Sequence, residues 1–336
     1  MSNNAICHLS VKDEIRAVLL HWGLNMWGES LPDGVKTVTG GRRCHNCVKF
    51  SDALWNECID RMVARKMNLV LIDLGEFPVW PSHPELALPG SRSPDWIRAE
   101  VKRLKELGLE PIPKLNFSAT HDAWLGEYSR MLSTKKYYQI CGDLIRDAAE
   151  MFNHPHIIHL GMDEEAAQYQ HGIQIVRTDE LWWHDLAFFC NVAESLGMRS
   201  WMWSGHGWRD GEFVEKCPKS ILQNTGYYDG GMHGFDMAKV PKKSQSYKEL
   251  DLMIRLDKAG FEQVPCGTNW MSETRKAKKV ANDECMAGLV KFCREHLSPN
   301  LLKGFMMASW EDCVDPGYRR TQNLNGIDQL AEALGQ

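Results

Sequence analysis

The stretch Ser93-Pro94-Asp95-Trp96-Ile97-Arg98-Ala99-Glu100-Val101-Lys102-Arg103-Leu104-Lys105-Glu106-Leu107-Gly108-Leu109-Glu110-Pro111-Ile112-Pro113 sets out the grammar of the whole chain. Ser93 is an N-cap residue and Pro94 suits the first helical position. Ile97, Val101 and Leu104 recur at helical spacing and mark one apolar face. Gly108 supplies the left-handed conformation that ends a helix. The short apolar run after it reads as a strand. The same order of helix, glycine and strand recurs at Leu181 to Leu196, Gly197 and Arg199 to Trp203. It recurs again at Tyr247 to Ala259, Gly260 and Phe261 to Cys266. Helices alternating with single apolar strands specify βα units and a parallel sheet.

Strands are expected near Ala17–Leu20, Leu69–Leu74, Leu109–Leu115, Ile157–Gly161, Arg199–Trp203, Ile221–Gln223, Gln263–Thr268 and Gly304–Ser309. Eight βα units in 336 residues fit a single-domain (β/α)8 TIM barrel better than a doubly wound sheet. No GxGxxG or P-loop follows any of these strands, which weakens a nucleotide-binding alternative. The fifth helix, Gly211 to Lys216, is the shortest. Residues 25–50 read as a loop insertion on the active face. The charge balance, 39 Lys+Arg against 44 Asp+Glu, argues against a nucleic-acid partner or an anionic membrane surface. No apolar run approaches the ~20 residues that span a bilayer. The 11 cysteines are scattered singly, and the N-terminus has no basic region followed by an apolar stretch. Both features lead to the expectation of a reduced, cytoplasmic protein.

In a barrel of this kind, chemistry sits at the C-terminal ends of the strands. Strand four ends in His159-Leu160-Gly161-Met162-Asp163-Glu164-Glu165. Grouped acids raise one another's pKa, which suits a general acid, although acids also favour the first turn of a helix. Glu165 is expected to begin that helix. Aromatic residues crowd the other strand ends: Trp22 and Trp27, Trp201, Trp203 and Trp208, Tyr227 and Tyr228, Trp270 and Trp310. A tryptophan offers a broad apolar face and one N–H donor, a combination suited to a sugar ring. Trp310 is expected to form the pocket floor, with Trp203 and Trp270 as walls.

These motifs resemble those of glycoside hydrolase family 20, the β-N-acetylhexosaminidases. His159 to Glu164 resembles that family's His-Ile-Gly-Gly-Asp-Glu signature. Arg16 resembles its sugar-binding arginine, and Lys66-Met67-Asn68 its Lys-x-Asn. Pro113 and His121 are similar to parts of its Pro-Glu-x-Asp-x-Pro-Gly-His segment. Trp310-Glu311-Asp312-Cys313-Val314-Asp315 is similar to its closing Trp-x-Glu-x-x-Asp. The resemblance covers about residues 14–316.

It implies a retaining, substrate-assisted mechanism with no cofactor and an oligosaccharide or glycoside substrate. Asp163 would polarise the substrate's acetamido group, and Glu164 would act as general acid/base. His121 and Glu76 would support Glu164, with His159 nearby. Arg16, Trp203, Tyr228, Trp270, Trp310 and Asp312 would bind the sugar. The chain departs from the family pattern at Met162, Lys114, Asn116, Trp270 and Ser272. Either Trp270 or Tyr228 would then hold the acetamido oxygen.

Two other readings compete. A metal-dependent hydrolase needs clustered ligands, but His154-x-His156 precedes strand four and Cys44-x-x-Cys47 has no second pair. A non-catalytic sugar-binding barrel would need no paired acid. Whether a second copy completes the pocket as a homodimer is left open by the sequence.

Overall fold

The computed structural model describes residues 14–23, 25–26, 45–119, 121–163, 165, 175–208, 211–228, 234–270, 282–314 and 317–336. Eight parallel strands form one sheet: β1 Ile15–His21, β2 Leu69–Asp73, β3 Glu110–Lys114, β4 Ile157–His159, β5 Arg199–Trp203, β6 Leu222–Asn224, β7 Cys266–Gly267 and β8 Gly304–Ala308. Their order is β6-β5-β4-β3-β2-β1-β8-β7. Bridges pair Gln223 with Gln263 and Gly226 with Cys266, joining β6 to β7 and closing the (β/α)8 barrel.

Among the described residues the α-helices are α1 Asp52–Ala64, α2 Pro94–Glu106, α3 Lys135–Met151, α4 Asp179–Ser195, α5 Phe213–Lys216, α6 Gln245–Lys258, α7 Cys285–His296 and α8 Tyr318–Leu334. Ser93 caps α2 by accepting the Trp96 N–H, Pro94 occupies its first turn, and Gly108 has φ +83°. Among the described residues no helix is long and apolar enough to cross a membrane.

Alternation along each strand divides the core in two. One set of side chains packs between sheet and helices and includes Val18, Leu20, Val70, Ile72 and Ile158. The other fills the barrel and includes Ala17, Leu19, Leu69, Leu71, Ile112, Ile157, Trp201 and Met306. Continuing the inward alternation to the C-terminal rim brings His21, Asp73, Lys114 and His159 onto the inner face. These four are neighbours in register: His21 pairs with Asp73, Asp73 with Lys114, and Lys114 with His159. The apolar interior therefore ends in a buried polar layer beneath the mouth.

Of the insertion at 25–50, residues 27–44 lie outside the described residues. Its two ends meet at this face, where the Asn25 side chain donates to the His45 carbonyl at 2.8 Å and accepts the His45 N–H at 2.7 Å.

Candidate active site

Lys114 is fully buried, with its Nζ 2.5 Å from Asp73 Oδ2. His21 Nδ1 lies 3.5 Å from the same oxygen. Burial pushes the Asp73 carboxyl upward, but the Lys114 charge and the His21 hydrogen bond outweigh it and hold Asp73 below the usual carboxylate range. His159 accepts the Gly161 N–H on Nδ1 at 3.0 Å, which assigns its proton to Nε2. Burial, then the Lys114 charge, push His159 well below the usual histidine range against the pull of Asp163 and Asp73. His159 is therefore a neutral imidazole at pH 7.

Past His159 the chain passes close to the β3 exit. A Cβ on Gly161 would lie 2.3 Å from Asn116 Oδ1, so only glycine fits there. Gly161 and Met162 both take left-handed backbone, φ +71° and +64°, and this turn delivers Asp163 to Ser118 and His121. Ser118 Oγ donates to Asp163 Oδ1 and accepts the Asp163 N–H at 2.8 Å. His121 Nδ1 stands 3.0 Å from Asp163 Oδ2. Burial works to raise Asp163, but His121, then Lys114 and the Ser118 hydroxyl, hold it well below the usual range. The result is an ionised carboxylate whose side chain is still 15% exposed.

Glu164 lies outside the described residues. Glu165 is not helical, contrary to the expectation from sequence. It accepts the Ala119 N–H at 3.1 Å and the Arg177 N–H at 3.0 Å, and Arg177 Nη2 approaches it to 2.5 Å. A carboxylate with these partners is drawn into the protein instead of starting a helix. Arg177 carries no sign of this role in the sequence, because a lone arginine before a helix forms no motif.

The other expected site residues divide. Trp310 crowns the barrel, its ring centroid 5.4 Å from Trp203, 6.0 Å from Tyr228 and 6.0 Å from His21. Trp270 is 38% exposed at the end of β7. Tyr228 is half-buried, and its hydroxyl folds back over Gly226 and bonds to the Cys266 thiol. Trp203 is a correction: it is 3% exposed and belongs to the barrel interior, where it supports Trp310 from below instead of forming a wall.

Arg16 is a second correction. It sits one residue into β1, five residues before His21, and a strand rises about 3.3 Å per residue. It is thus at the opposite end of the barrel, where its Nε donates to the Lys66 carbonyl at 2.7 Å. Asn68 lies there too, accepting the Arg16 N–H at 2.8 Å, so both motifs at this end belong to the stability face. Glu76, after β2, accepts the Asn25 N–H at 3.0 Å and so anchors the stem of the 25–50 insertion. Asp312 is paired with Arg319 at 3.2 Å, tying the β8 exit to α8. No cluster of three or more His, Cys, Asp or Glu side chains suited to a metal occurs among the described residues. Cys44 of the Cys-x-x-Cys pair lies outside them.

No family model matches the chain's sequence, and no curated protein sequence matches it. Solved structures do. A β-N-acetylhexosaminidase from Streptomyces coelicolor superposes with TM-score 0.64 at 12% identity, over 95% of this chain and 64% of that one. One from Bacteroides fragilis gives 0.60 at 13%, over 94% and 65%. An exo-β-N-acetylglucosaminidase from Vibrio harveyi gives 0.61 at 13%, over 96% and 54%. The chain resembles the family 20 β-N-acetylhexosaminidases in fold. It spans less than two thirds of the length of each of these three proteins.

Against the family 20 motif, the departure at Met162 now has a physical account. The residue stands where the motif has glycine and keeps a glycine-like φ of +64°. Burial of its side chain among the helices offsets the strain of about 1–2 kcal/mol. Lys114, standing where the motif has glutamate, is balanced by Asp73 within the polar layer.

Proposed function

We propose that the chain is a glycoside hydrolase that removes a terminal β-linked N-acetylhexosamine by retaining, substrate-assisted catalysis. The observation that carries this reading is the state of Asp163. It is ionised, held by Ser118 and His121, and partly open at the mouth of a barrel whose centre is covered by Trp310. An anion fixed in this way suits a positive charge that develops only during reaction.

In the first step the acetamido oxygen attacks the anomeric carbon while the bond to the leaving oxygen breaks. Glu164 gives its proton to that oxygen. Asp163 accepts the acetamido N–H and stabilises the resulting oxazolinium ion. In the second step water attacks the same carbon, Glu164 takes a proton from the water, and the oxazolinium ring reopens to the acetamide. Two inversions at one carbon leave the configuration retained. Trp310 supplies the apolar face on which the sugar ring rests, with the acetamido oxygen held by Trp270, or by Tyr228 once its hydroxyl turns away from Gly226 and Cys266.

The test is turnover of the 4-nitrophenyl β-glycosides of N-acetylglucosamine, N-acetylgalactosamine and glucose. The reading requires turnover of at least one acetamido sugar and none of the glucoside. Equal turnover of the glucoside would replace it with a different glycosidase chemistry. Turnover of none, with binding retained, would leave a sugar-binding barrel.

A further inference from the structure

The loops leaving β3 and β4 are joined by a buried ion cluster that the reaction above does not use. Its centre is Arg177, whose side chain is fully buried. The guanidinium donates from Nη2 to the Phe117 carbonyl at 2.5 Å, from Nε and Nη2 to Glu165 Oε1 at 3.2 and 2.5 Å, and from Nη1 to Asp185 Oδ2 at 3.2 Å. Asp185 is fixed in turn by the Ser133 hydroxyl at 2.7 Å and the Tyr138 hydroxyl at 2.5 Å. Glu165 closes the cluster by accepting the Ala119 and Arg177 N–H groups.

Three segments therefore meet on one side chain: the β3 exit through Phe117 and Ala119, the β4 exit through Glu165, and α4 through Asp185. The β3 exit also carries Ser118 and His121, the two residues that hold Asp163. Asp163 and Glu165 are thus each bound to the same neighbouring loop, one on each side of Glu164 in the chain. Asp163 is held through its backbone N–H as well as its carboxylate, and Glu165 through a carboxylate that accepts the Ala119 backbone N–H.

We propose that Arg177 and Glu165 are positioning residues: their ion pair holds Glu165 on the β3 exit as Ser118 and His121 hold Asp163, and through these two chain neighbours it sets where Glu164 delivers its proton. This role rests on the proposed glycosidase activity. A planar fork is needed because three acceptors lie in different directions around one cation, an arrangement that lysine's single ammonium does not reproduce. Displacing a proton donor by about an ångström costs on the order of 10²-fold in rate.

The test compares Arg177→Lys and Glu165→Gln with the wild type on two substrates. One is an N-acetylglucosamine disaccharide, whose departing sugar must be protonated. The other is the 2,4-dinitrophenyl N-acetyl-β-glucosaminide, whose leaving group departs as an anion. The proposal requires kcat/KM on the disaccharide to fall by roughly 10²-fold in both variants. It also requires that turnover of the dinitrophenyl glycoside and inhibition by N-acetylglucosamine-thiazoline be retained. Equal losses on both substrates, or loss of thiazoline affinity in step with rate, would make the cluster merely structural and overturn the proposal. Unchanged disaccharide turnover would overturn it as well. Should Arg177→Lys fail to fold, Glu165→Gln, which keeps one accepting oxygen but removes the charge and turns the other acceptor into a donor, gives the same readout. A wild-type enzyme inactive on both substrates would refute the activity itself and this role with it, whereas an active wild type with unaffected variants would refute the role alone.

Discussion

Lys114→Met removes the ammonium that, among the described residues, stands nearest the Asp73 carboxylate, at 2.5 Å. Asp73 is 3% exposed, so water does not replace the lost partner. Breaking a buried ion pair from one side costs about 3–5 kcal/mol. For a chain of 336 residues the unfolding entropy is about 0.7 kcal/mol/K near the melting point, so the expected fall in Tm is about 4–7 °C.

The pH dependence follows from the direction of the Asp73 shift. In the wild type its carboxyl lies below the unfolded value, so its contribution is fully present above about pH 4 and is lost as pH falls through the depressed native value. In the variant the chief lowering influence is gone and burial, which raises the carboxyl, remains. Asp73 then takes up a proton at higher pH, and the penalty eases on acidification. The Tm deficit should accordingly be larger at pH 8 than at pH 5. Adding Asp73→Asn to Lys114→Met should recover part of the loss, because it removes the stranded charge. Scanning calorimetry of the three proteins at both pH values is the assay. A Lys114→Met protein melting within about 1 °C of wild type at both would refute the claim that this pair holds the polar layer together.

His121→Ala should raise the Asp163 carboxyl toward its ordinary range, since His121 is the strongest influence lowering it. The acid limb of kcat/KM should therefore move to higher pH, and an unmoved limb would remove His121 from this role. Trp310→Ala should weaken binding of N-acetylglucosamine by about 1 kcal/mol for the aromatic contact plus the lost apolar area, at least about fivefold in Kd, measured by calorimetric titration. Unchanged affinity would mean that the ring does not meet the sugar. Arg16→Ala should leave KM unaltered and lower stability by about 1 kcal/mol through its lost carbonyl bonds, read from denaturant unfolding. A raised KM would contradict its place at the far end of the barrel.

The strands and most helices were legible because each rests on local chemistry. The Ser93 cap, Pro94 and Gly108 bound α2 in the structure as their chemistry requires. Trp310 packs against the barrel interior beside Trp203 and Tyr228, and Asp163 follows the β4 exit. What sequence could not supply was direction along a strand and partners across the fold. Arg16 lies in the right strand but at its wrong end, because a motif seen in one dimension does not say which rim it faces. Trp203 lies in the right strand too, but its inward alternation submerges it. Glu165 and Arg177 are twelve residues apart in the chain and meet only after the β4 exit folds back, so neither carried a local sign of the other. The Lys114–Asp73 pair was hidden for the same reason, since cross-strand register brings it together over 41 residues.

Substrate assistance by Asp163 is the central claim, and N-acetylglucosamine-thiazoline tests it most directly. The analogue copies the cyclised intermediate, and its ring nitrogen offers the contact that Asp163 is expected to strengthen as charge develops. The measurement is Ki for the thiazoline and Kd for N-acetylglucosamine, in the wild type and in Asp163→Asn. The account predicts competitive inhibition of the wild type, with Asp163→Asn weakening the thiazoline clearly more than the plain sugar. No thiazoline inhibition of an active wild-type enzyme, or equal weakening of both ligands, would contradict it.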